Sequence, residues 1–181
     1  MSTAHPLPTA DRDAETDDSE DAAEARSDPS GAPRCPRPTR ERPYLHAVEV
    51  RYSETDQMGV VHHANYLRYL EDARTIMLRE CALPYSDVER AGYGLPVRSV
   101  AMQYKSPGFF EDALVVACWI ERTRAASVTF GYEIHRVVDG ERGPLLLTAE
   151  VELACIDLAS RRARAFPDML KRFFIADSES A

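Results

Sequence analysis

The amino-acid sequence predicts an α+β fold in which an antiparallel sheet of about five strands wraps around one long helix. Three observations point to this arrangement. A single amphipathic helical pattern spans residues 65–81, one strand pattern precedes it, and four strand patterns follow it without another long helix between them. One helix and one sheet must cover each other's apolar faces, because neither can bury its own face alone.

The two ends of the chain are expected to lie outside this fold. Residues 1–43 are rich in Asp, Glu, Ala and Pro and almost free of large apolar side chains. A segment of this composition cannot bury enough surface to offset its chain entropy, so we expect a disordered tail. The folded domain is expected over residues 44–176, with a disordered C-terminus at 177–181.

The first strand and the helix stand on either side of a polar loop. The stretch "YLHAVEVRYS" begins at Tyr44 and alternates in the manner of a strand. After the loop comes "NYLRYLEDARTIMLREC", whose apolar residues recur at helical spacing: Tyr66, Leu70, Ala73 and Met77. This periodicity predicts an amphipathic helix of about four to five turns.

Four strand patterns fill most of the second half of the chain. They are "PVRSVAMQYKS", "ALVVACWIER", "ASVTFGYEIHRVV" and "PLLLTAEVELACID", separated by "PGFFED", "RTRA" and "DGERGP". Such short connections between consecutive strands predict antiparallel pairing. The stretch "FPDMLKRFF" predicts a short closing helix.

Composition excludes several classes of protein. The chain has 181 residues, of which 44% are hydrophobic and 29% charged, as expected for one globular domain. The net charge of −8 argues against a nucleic-acid binder. No segment approaches the length of a membrane span, and the N-terminus does not have the layout of a signal peptide.

The four cysteines are Cys35, Cys81, Cys118 and Cys155. None of them lies at CxxC spacing or at zinc-site spacing from a histidine. Cys118 and Cys155 fall within apolar runs, where a free thiol behaves as a small hydrophobe. These observations favour a reducing, cytoplasmic location.

The most informative stretch is "SETDQMGVVHHANYLRYLEDAR" at residues 53–74, in which Asp56 lies seven positions before His63, at the start of the helix. The segment "RYSETDQMGVVHHANYLRYLEDAR" resembles the signature of the 4-hydroxybenzoyl-CoA thioesterase family, most closely its branch of bacterial acyl-CoA thioesterases that includes the Tol–Pal-associated enzyme. The stretch "LPVRSVAMQYKSP" also resembles that branch. The resemblance covers roughly residues 44–175 and implies the hotdog fold.

The resemblance implies a hydrolase that cleaves an acyl-CoA to a free acid and CoA. It puts Asp56 at the position of the catalytic carboxylate, as base or nucleophile, and the backbone N–H of His63 at the position that binds the thioester oxygen. The chemistry agrees, because hydrolysis needs a nucleophile and a group that holds the charge developing on the carbonyl oxygen. A helix N-terminus has unpaired N–H groups and favours negative charge.

The remaining site residues follow from the same stretch. Gly59 allows a sharp turn between Asp56 and the helix, and apolar residues beside it are expected to form the acyl pocket: Met58, Val60, Val61 and Tyr66. We expect no cofactor and no metal. The free edge of a single sheet predicts a homodimer, and the resemblance suggests that two dimers form a homotetramer.

Alternatives remain open from the sequence alone. Asp56 is also a plausible capping residue, and together with His62 and His63 it offers a weak metal-site pattern, with the two adjacent histidines expected to point apart. Glu71 on the helix is a second carboxylate, expected in an ion pair rather than in catalysis.

The substrate and the activity also have alternatives. A thioester of acyl carrier protein is an alternative substrate, and a non-catalytic module that binds acyl thioesters is an alternative function. The CoA phosphates require basic residues, and the candidates are Lys105, Arg122, Arg124, Arg161, Arg162 and Arg164.

Overall fold

A computed structural model describes residues 35–175. Within this range the strands are β1 (Tyr44–Glu49), β2 (Tyr93–Gly94), β3 (Val97–Tyr104), β4 (Ala113–Arg124), β5 (Ser127–Val138), β6 (Glu141–Ala154) and β7 (Ile156–Asp157). The helices are α1 (His63–Glu80), α2 (Tyr85–Arg90) and α3 (Asp168–Phe174), and a 3₁₀ turn spans Tyr52–Glu54.

The principal sheet has five strands in the order β1-β4-β5-β6-β3, and every neighbouring pair is antiparallel. The prediction of an antiparallel sheet of five strands is confirmed. β1 pairs with β4 at one edge of the sheet, whereas β3 pairs with β6 at the opposite edge. β2 and β7 form a separate two-stranded pair.

The core lies between α1 and the concave face of the sheet. Apolar residues alternate along β5, and all of them are buried: Val128, Phe130, Tyr132 and Ile134. The apolar stripe of α1 faces them, with Leu70, Ala73 and Met77 completely buried. The sheet therefore wraps around one central helix, and the predicted hotdog arrangement is confirmed.

Helix α1 begins at His63, where the helix start was expected, two residues before the apolar periodic pattern at Asn65. His62 has extended backbone angles and caps the helix, because its ring nitrogen Nδ1 accepts a hydrogen bond from the N–H of Ala64. The helix ends at Glu80, and Ala82 then adopts a positive φ of 59°. The cap depends on a polar side chain before the helix, and the spacing of apolar residues does not reveal it.

One charged residue of α1 lies in the core. Arg74 is only 3% exposed, and its Nη2 atom lies 3.3 Å from Oε1 of Glu71. Among the described residues, its Nε and Nη1 atoms have no hydrogen-bond partner. The sequence pattern did not predict this burial, since Arg74 is charged and is not one of the apolar residues of the stripe, although it directly follows Ala73.

Residues 35–43 pack against the domain, although the sequence analysis assigned them to the tail. The N–H of Ile120 donates to the carbonyl of Pro38 at 3.1 Å, so the segment extends the edge of the sheet beyond β1. The guanidinium of Arg40 lies 5.5 Å from the centroid of the Trp119 ring and 3.4 Å from the Glu133 carboxylate. The tail prediction therefore needs correction over these nine residues, while residues 1–34 and 176–181 lie outside the described part of the chain.

A disulfide joins Cys35 to Cys81, at the end of α1. Cys118 and Cys155 are free and buried, as expected for small hydrophobes in strands. A reducing compartment was inferred because cysteine spacing indicated no pairing, and the disulfide does not support that inference. The two partners are 46 residues apart, so spacing alone did not reveal the pair. In the described range, none of the helices has the length and apolar character that a membrane span requires.

Candidate active site

The loop before α1 is a tight reversal of the chain. Thr55 and Val61 face each other in an antiparallel bridge. Inside it, the N–H of Asp56 donates to the carbonyl of Val60, and the N–H of Gly59 donates to the carbonyl of Asp56, both at 2.9 Å. Gly59 has a φ of +75°, a conformation that other residues adopt only with strain. The predicted sharp turn at Gly59 is confirmed.

The carboxylate of Asp56 is half-buried at the start of this reversal. Its Oδ1 atom accepts a hydrogen bond from the N–H of Met58 at 2.8 Å. Oδ2 makes no hydrogen bond to any residue between 35 and 175. One oxygen is therefore held by the loop, and the other is available to a ligand or a water molecule.

The first N–H groups of α1 differ in whether they have a hydrogen-bond partner among the described residues. The N–H of Ala64 donates to Nδ1 of His62 at 3.3 Å, and the N–H of Asn65 donates to the carbonyl of His62 at 2.9 Å. The N–H of His63 makes no hydrogen bond within the described residues. This N–H is thus an unpaired donor at the positive end of an 18-residue helix.

The two adjacent histidines lie side by side. Their ring centroids are 4.2 Å apart with an interplanar angle of 35°, so the expectation that they point apart is wrong. They nevertheless have different environments, because His62 caps the helix through its ring whereas His63 lines a cavity. In the described part of the chain, no group of three or more His, Cys, Asp and Glu side chains is arranged to hold a metal ion.

Glu54 connects the loop to the start of the helix. Its backbone carbonyl accepts two hydrogen bonds, from the N–H of His62 at 2.8 Å and from the side-chain amide of Asn65 at 2.7 Å. Asn65, in the first turn of α1, therefore bonds to a residue eleven positions earlier in the chain. The loop that carries Asp56 is fixed to the helix that carries His63.

A cavity of about 300 Å³ opens beside His63. It is lined by Val60, Val61, His63, Tyr66, Tyr104, Lys105, Ser106 and Pro107. The residues of the loop and helix were predicted for the pocket, whereas those from the end of β3 and the segment after it were not. Sequence gave no signal for Tyr104, since 41 residues separate it from His63.

Tyr66 and Tyr104 build the aromatic wall of this cavity. Their rings pack edge to face with centroids 5.7 Å apart. The Tyr104 hydroxyl donates to the carbonyl of His63 at 3.2 Å, and the N–H of Gly108 donates to the Tyr66 hydroxyl oxygen at 3.1 Å. Burial raises the pKa of Tyr66 above its ordinary value, so this hydroxyl remains neutral.

The structure separates the predicted site residues into two groups. His63, Val61 and Tyr66 line the cavity, whereas Asp56 and Gly59 lie in the adjoining loop and are absent from its walls. Met58 was expected to contribute to the apolar pocket, but its side chain is 79% exposed and lies outside the cavity.

Only one of the basic candidates for phosphate binding lies at the cavity. Lys105 lines it, with its Nζ atom 2.8 Å from Oε1 of Gln103. The arginines on β4 and after β7 do not line it: Arg122, Arg124, Arg161, Arg162 and Arg164. Glu71 is in an ion pair with Arg74, as the helical spacing favoured.

Comparisons with known proteins agree with this architecture. Residues 50–174 match the Thioesterase-like superfamily. The chain is 38% identical over 125 residues to "Putative acyl-CoA thioesterase YneP" of Bacillus subtilis, which covers 67% of this chain and 88% of the relative. It is 34% identical over 120 residues to "Acyl-CoA thioester hydrolase YbgC" of Escherichia coli, with 66% of this chain and 87% of the relative covered.

A solved structure gives the same result in three dimensions. The DHNA-CoA thioesterase from Staphylococcus aureus superposes with a TM-score of 0.63 at 32% identity, covering 72% of this chain and 82% of that protein. The superfamily match spans more than half of the chain and includes the Asp56 loop, α1 and the whole sheet except β1. The sequence match and the hotdog architecture together show that this chain belongs to the thioesterase-like superfamily.

Proposed function

We propose that this thioester hydrolase cleaves acyl-CoA, with Asp56 as base or nucleophile and the N–H of His63 as the donor to the thioester oxygen. The single observation that carries the proposal is the unpaired N–H of His63, which belongs to a residue that lines the cavity. Support comes from the relatives, since YneP and YbgC are named for activity on acyl-CoA thioesters.

The proposed reaction consumes one water molecule. Asp56 either removes a proton from water as it attacks the thioester carbonyl, or attacks the carbonyl itself to form an anhydride that water then opens. In both routes the carbon–sulfur bond breaks, CoA leaves as the thiol, and the acyl group leaves as the acid. The negative charge that develops on the carbonyl oxygen is stabilised by the His63 N–H and the positive end of α1.

The surroundings of Asp56 support this role. Because the Met58 N–H binds Oδ1, the carboxylate has a fixed orientation, and Oδ2 remains available. His63 lines the cavity, and in this proposal its ring orients the water or the carboxylate. His62 has a separate role as the helix cap, and the proposed reaction does not require its imidazole as a catalyst.

The cavity and its rim support an acyl thioester as the substrate. Val60, Val61 and the Tyr66–Tyr104 wall are apolar surroundings for an acyl group. Lys105 provides a cation at the same cavity for the anionic part of CoA. A hydrolysis screen with short, long and aromatic acyl-CoAs, read by detection of the released thiol, tests the substrate class. Acyl carrier protein thioesters are tested in the same screen. A preference for them would show that the substrate is an acyl carrier protein thioester and not an acyl-CoA.

Asp56→Asn is expected to abolish turnover while leaving the fold and substrate binding intact. Loss of a base or nucleophile lowers the rate by about 10²–10⁴. Steady-state hydrolysis measures the loss, and thermal unfolding checks the fold. The matched control is Asp157→Asn, because Asp157 also accepts a backbone N–H within a turn, from Ser160 at 2.8 Å. Turnover by Asp56→Asn above about a tenth of the wild-type value would exclude Asp56 from this role.

We also propose that the working unit is at least a dimer, formed along β3. β3 is an edge strand of the sheet, and it carries exposed apolar residues: Val97, Val100 and Tyr104. An unpaired edge with apolar side chains favours pairing with a second copy. Since Tyr104 belongs to the cavity wall, a second copy on β3 would lie directly beside the proposed acyl pocket.

Val100→Arg is expected to weaken this association and to lower activity at dilute protein concentration, because it places a charge at the proposed interface. Val138→Arg is the matched control, since Val138 is an exposed apolar residue at the distal end of β5. Analytical ultracentrifugation measures the mass of each variant. A fully active wild-type particle at the monomer mass of 20.3 kDa would contradict the dimer.

A further inference from the structure

Four hydrogen bonds converge on Glu54, which lies two residues before Asp56. Two of them reach its backbone carbonyl, as described above, from His62 and Asn65. The other two reach its carboxylate oxygen Oε2: one from the N–H of Arg51 at 2.8 Å and one from the hydroxyl of Tyr69, also at 2.8 Å. The carboxylate therefore closes the 3₁₀ turn before the loop and binds α1 at the same time.

Tyr69 is well suited to hold this carboxylate. It lies one helical turn after Asn65 on the same face of α1, and its side chain is 3% exposed. Burial, and then the hydrogen bond to Glu54, raise the pKa of Tyr69 well above its ordinary value. The hydroxyl thus keeps its proton and remains a donor over the whole working range of pH. A hydrogen bond to an ionised acceptor is stronger than a neutral one.

We propose that the Glu54–Tyr69 pair is a positioning device that sets where the Asp56 loop lies relative to the first N–H of α1. This inference rests on the proposed function. The backbone carbonyl of Glu54 fixes the loop to the first turn of the helix, and the Tyr69 hydroxyl fixes the same residue to the second turn. Because Glu54 is attached to α1 at two points along the helix axis, the loop cannot rotate about either hydrogen-bonded point alone. Small displacements of a reacting group lower the rate steeply.

The pair has a counterpart that provides a matched control. At the other end of α1, the hydroxyl of Tyr44 donates to Oε2 of Glu80 at 2.9 Å. Both pairs join a tyrosine to a glutamate and both attach α1 to a neighbouring segment. Only the Glu54–Tyr69 pair is adjacent to the proposed catalytic loop. Tyr69→Phe and Tyr44→Phe therefore remove the same chemical group, one near the site and one far from it.

The experiment compares kcat, KM and melting temperature for these two variants of the full chain. For Tyr69→Phe we expect kcat to fall by at least about ten-fold with KM unchanged within about two-fold, because the substrate still binds while the Asp56 loop is misplaced. For Tyr44→Phe we expect kcat at the wild-type value, although its melting temperature falls by about as much as that of Tyr69→Phe. Equal kcat values for the two variants would overturn the inference and leave Tyr69 as a residue that only stabilises the fold.

A conservative rescue adds a second readout. The side-chain oxygen of Gln accepts hydrogen bonds from both Tyr69 and Arg51, so Glu54→Gln is expected to keep most of kcat, whereas Glu54→Ala is expected to lose as much as Tyr69→Phe. If Glu54→Gln and Glu54→Ala lose kcat equally, the inferred role of the hydrogen bond is wrong. Asp56→Asn separates the two proposals. If that variant remains active, the proposed site fails, and if it is inactive while Tyr69→Phe is fully active, only the positioning role fails.

Discussion

At the scale of single residues, neighbours in the sequence have distinct tasks. His62 and His63 look equivalent in the sequence, yet one caps α1 through its ring and the other offers its N–H beside a cavity. Asp56 does not cap α1, because His62 does so, and its Oδ1 atom instead accepts a hydrogen bond within the loop while its Oδ2 atom makes none to the described residues. The hydrogen bond within the loop and the proposed catalytic role therefore need different oxygens of one carboxylate and do not exclude each other.

Gly59→Ala is expected to destabilise the protein and to lower its activity. At a φ of +75°, an alanine side chain costs about 1 kcal/mol, and the strain falls on the turn that holds Asp56. Gly140 is the matched control, because it has a φ of +80° in the β5–β6 turn and, like Gly59, has nothing within 4 Å of a built Cβ atom.

Chemical denaturation and steady-state kinetics separate the two effects. Both alanine variants should lose a similar free energy of unfolding, whereas only Gly59→Ala should lose about ten-fold in kcat. Gly59→Asn should recover part of the loss, since Asn tolerates a positive φ better than Ala. A Gly59→Ala variant with wild-type kcat would show that the shape of this turn is irrelevant to the reaction.

At the scale of secondary-structure elements, the outer face of the sheet contains a close contact between neighbouring strands. Trp119 on β4 lies opposite Gly131 on β5, and the indole occupies the space where a side chain at position 131 would stand. Trp119 is 5% exposed, because Arg40 covers its other face. A glycine in the centre of a strand normally weakens it, and here it makes room for a tryptophan.

Gly131→Ala is expected to lower the free energy of unfolding by about 1–3 kcal/mol, because the new methyl group displaces the indole ring. In a Trp119→Ala background the same substitution should cost much less, since the obstructing ring is gone. Denaturation of the two single variants and the double variant measures this coupling. Additive losses would show that the indole does not limit the space at position 131.

At the scale of the whole molecule, residues 35–43 connect the N-terminal side of the domain to both the sheet and α1. The disulfide between Cys35 and Cys81 attaches this segment to the end of the helix, while Pro38 and Arg40 attach it to β4 and β5. A cross-link between residues so far apart in sequence removes conformational freedom from the unfolded chain. The segment is thus part of the folded domain.

Removal of residues 1–34 is expected to leave the melting temperature and activity unchanged, whereas removal of residues 1–43 should lower the melting temperature by at least about 5 °C. The second deletion removes both the disulfide and the cover over Trp119. A Cys35→Ser variant of the shorter deletion isolates the contribution of the disulfide alone. Equal melting temperatures for the two deletions would contradict the packing of residues 35–43.

Much of the fold could be predicted from the sequence. The alternation of β5 and the helical spacing of α1 report directly which side chains are buried, because burial and periodicity have the same physical origin. The Asp56 loop and the start of α1 are adjacent in the chain, so their proximity also needed no tertiary information. The sequence by itself therefore determined the long central helix, the antiparallel strands and the local half of the candidate site.

Only the tertiary structure decided which distant residues meet. Tyr104 and Lys105 complete the cavity because the end of β3 meets the start of α1, and no periodicity along the chain encodes that contact. The burial of Arg74, the Tyr69 bond to Glu54 and the pairing of Cys35 with Cys81 are likewise contacts between separate segments. A sequence pattern shows which side chains of a segment are buried. Which segments bury those side chains against each other is determined only when the chain folds.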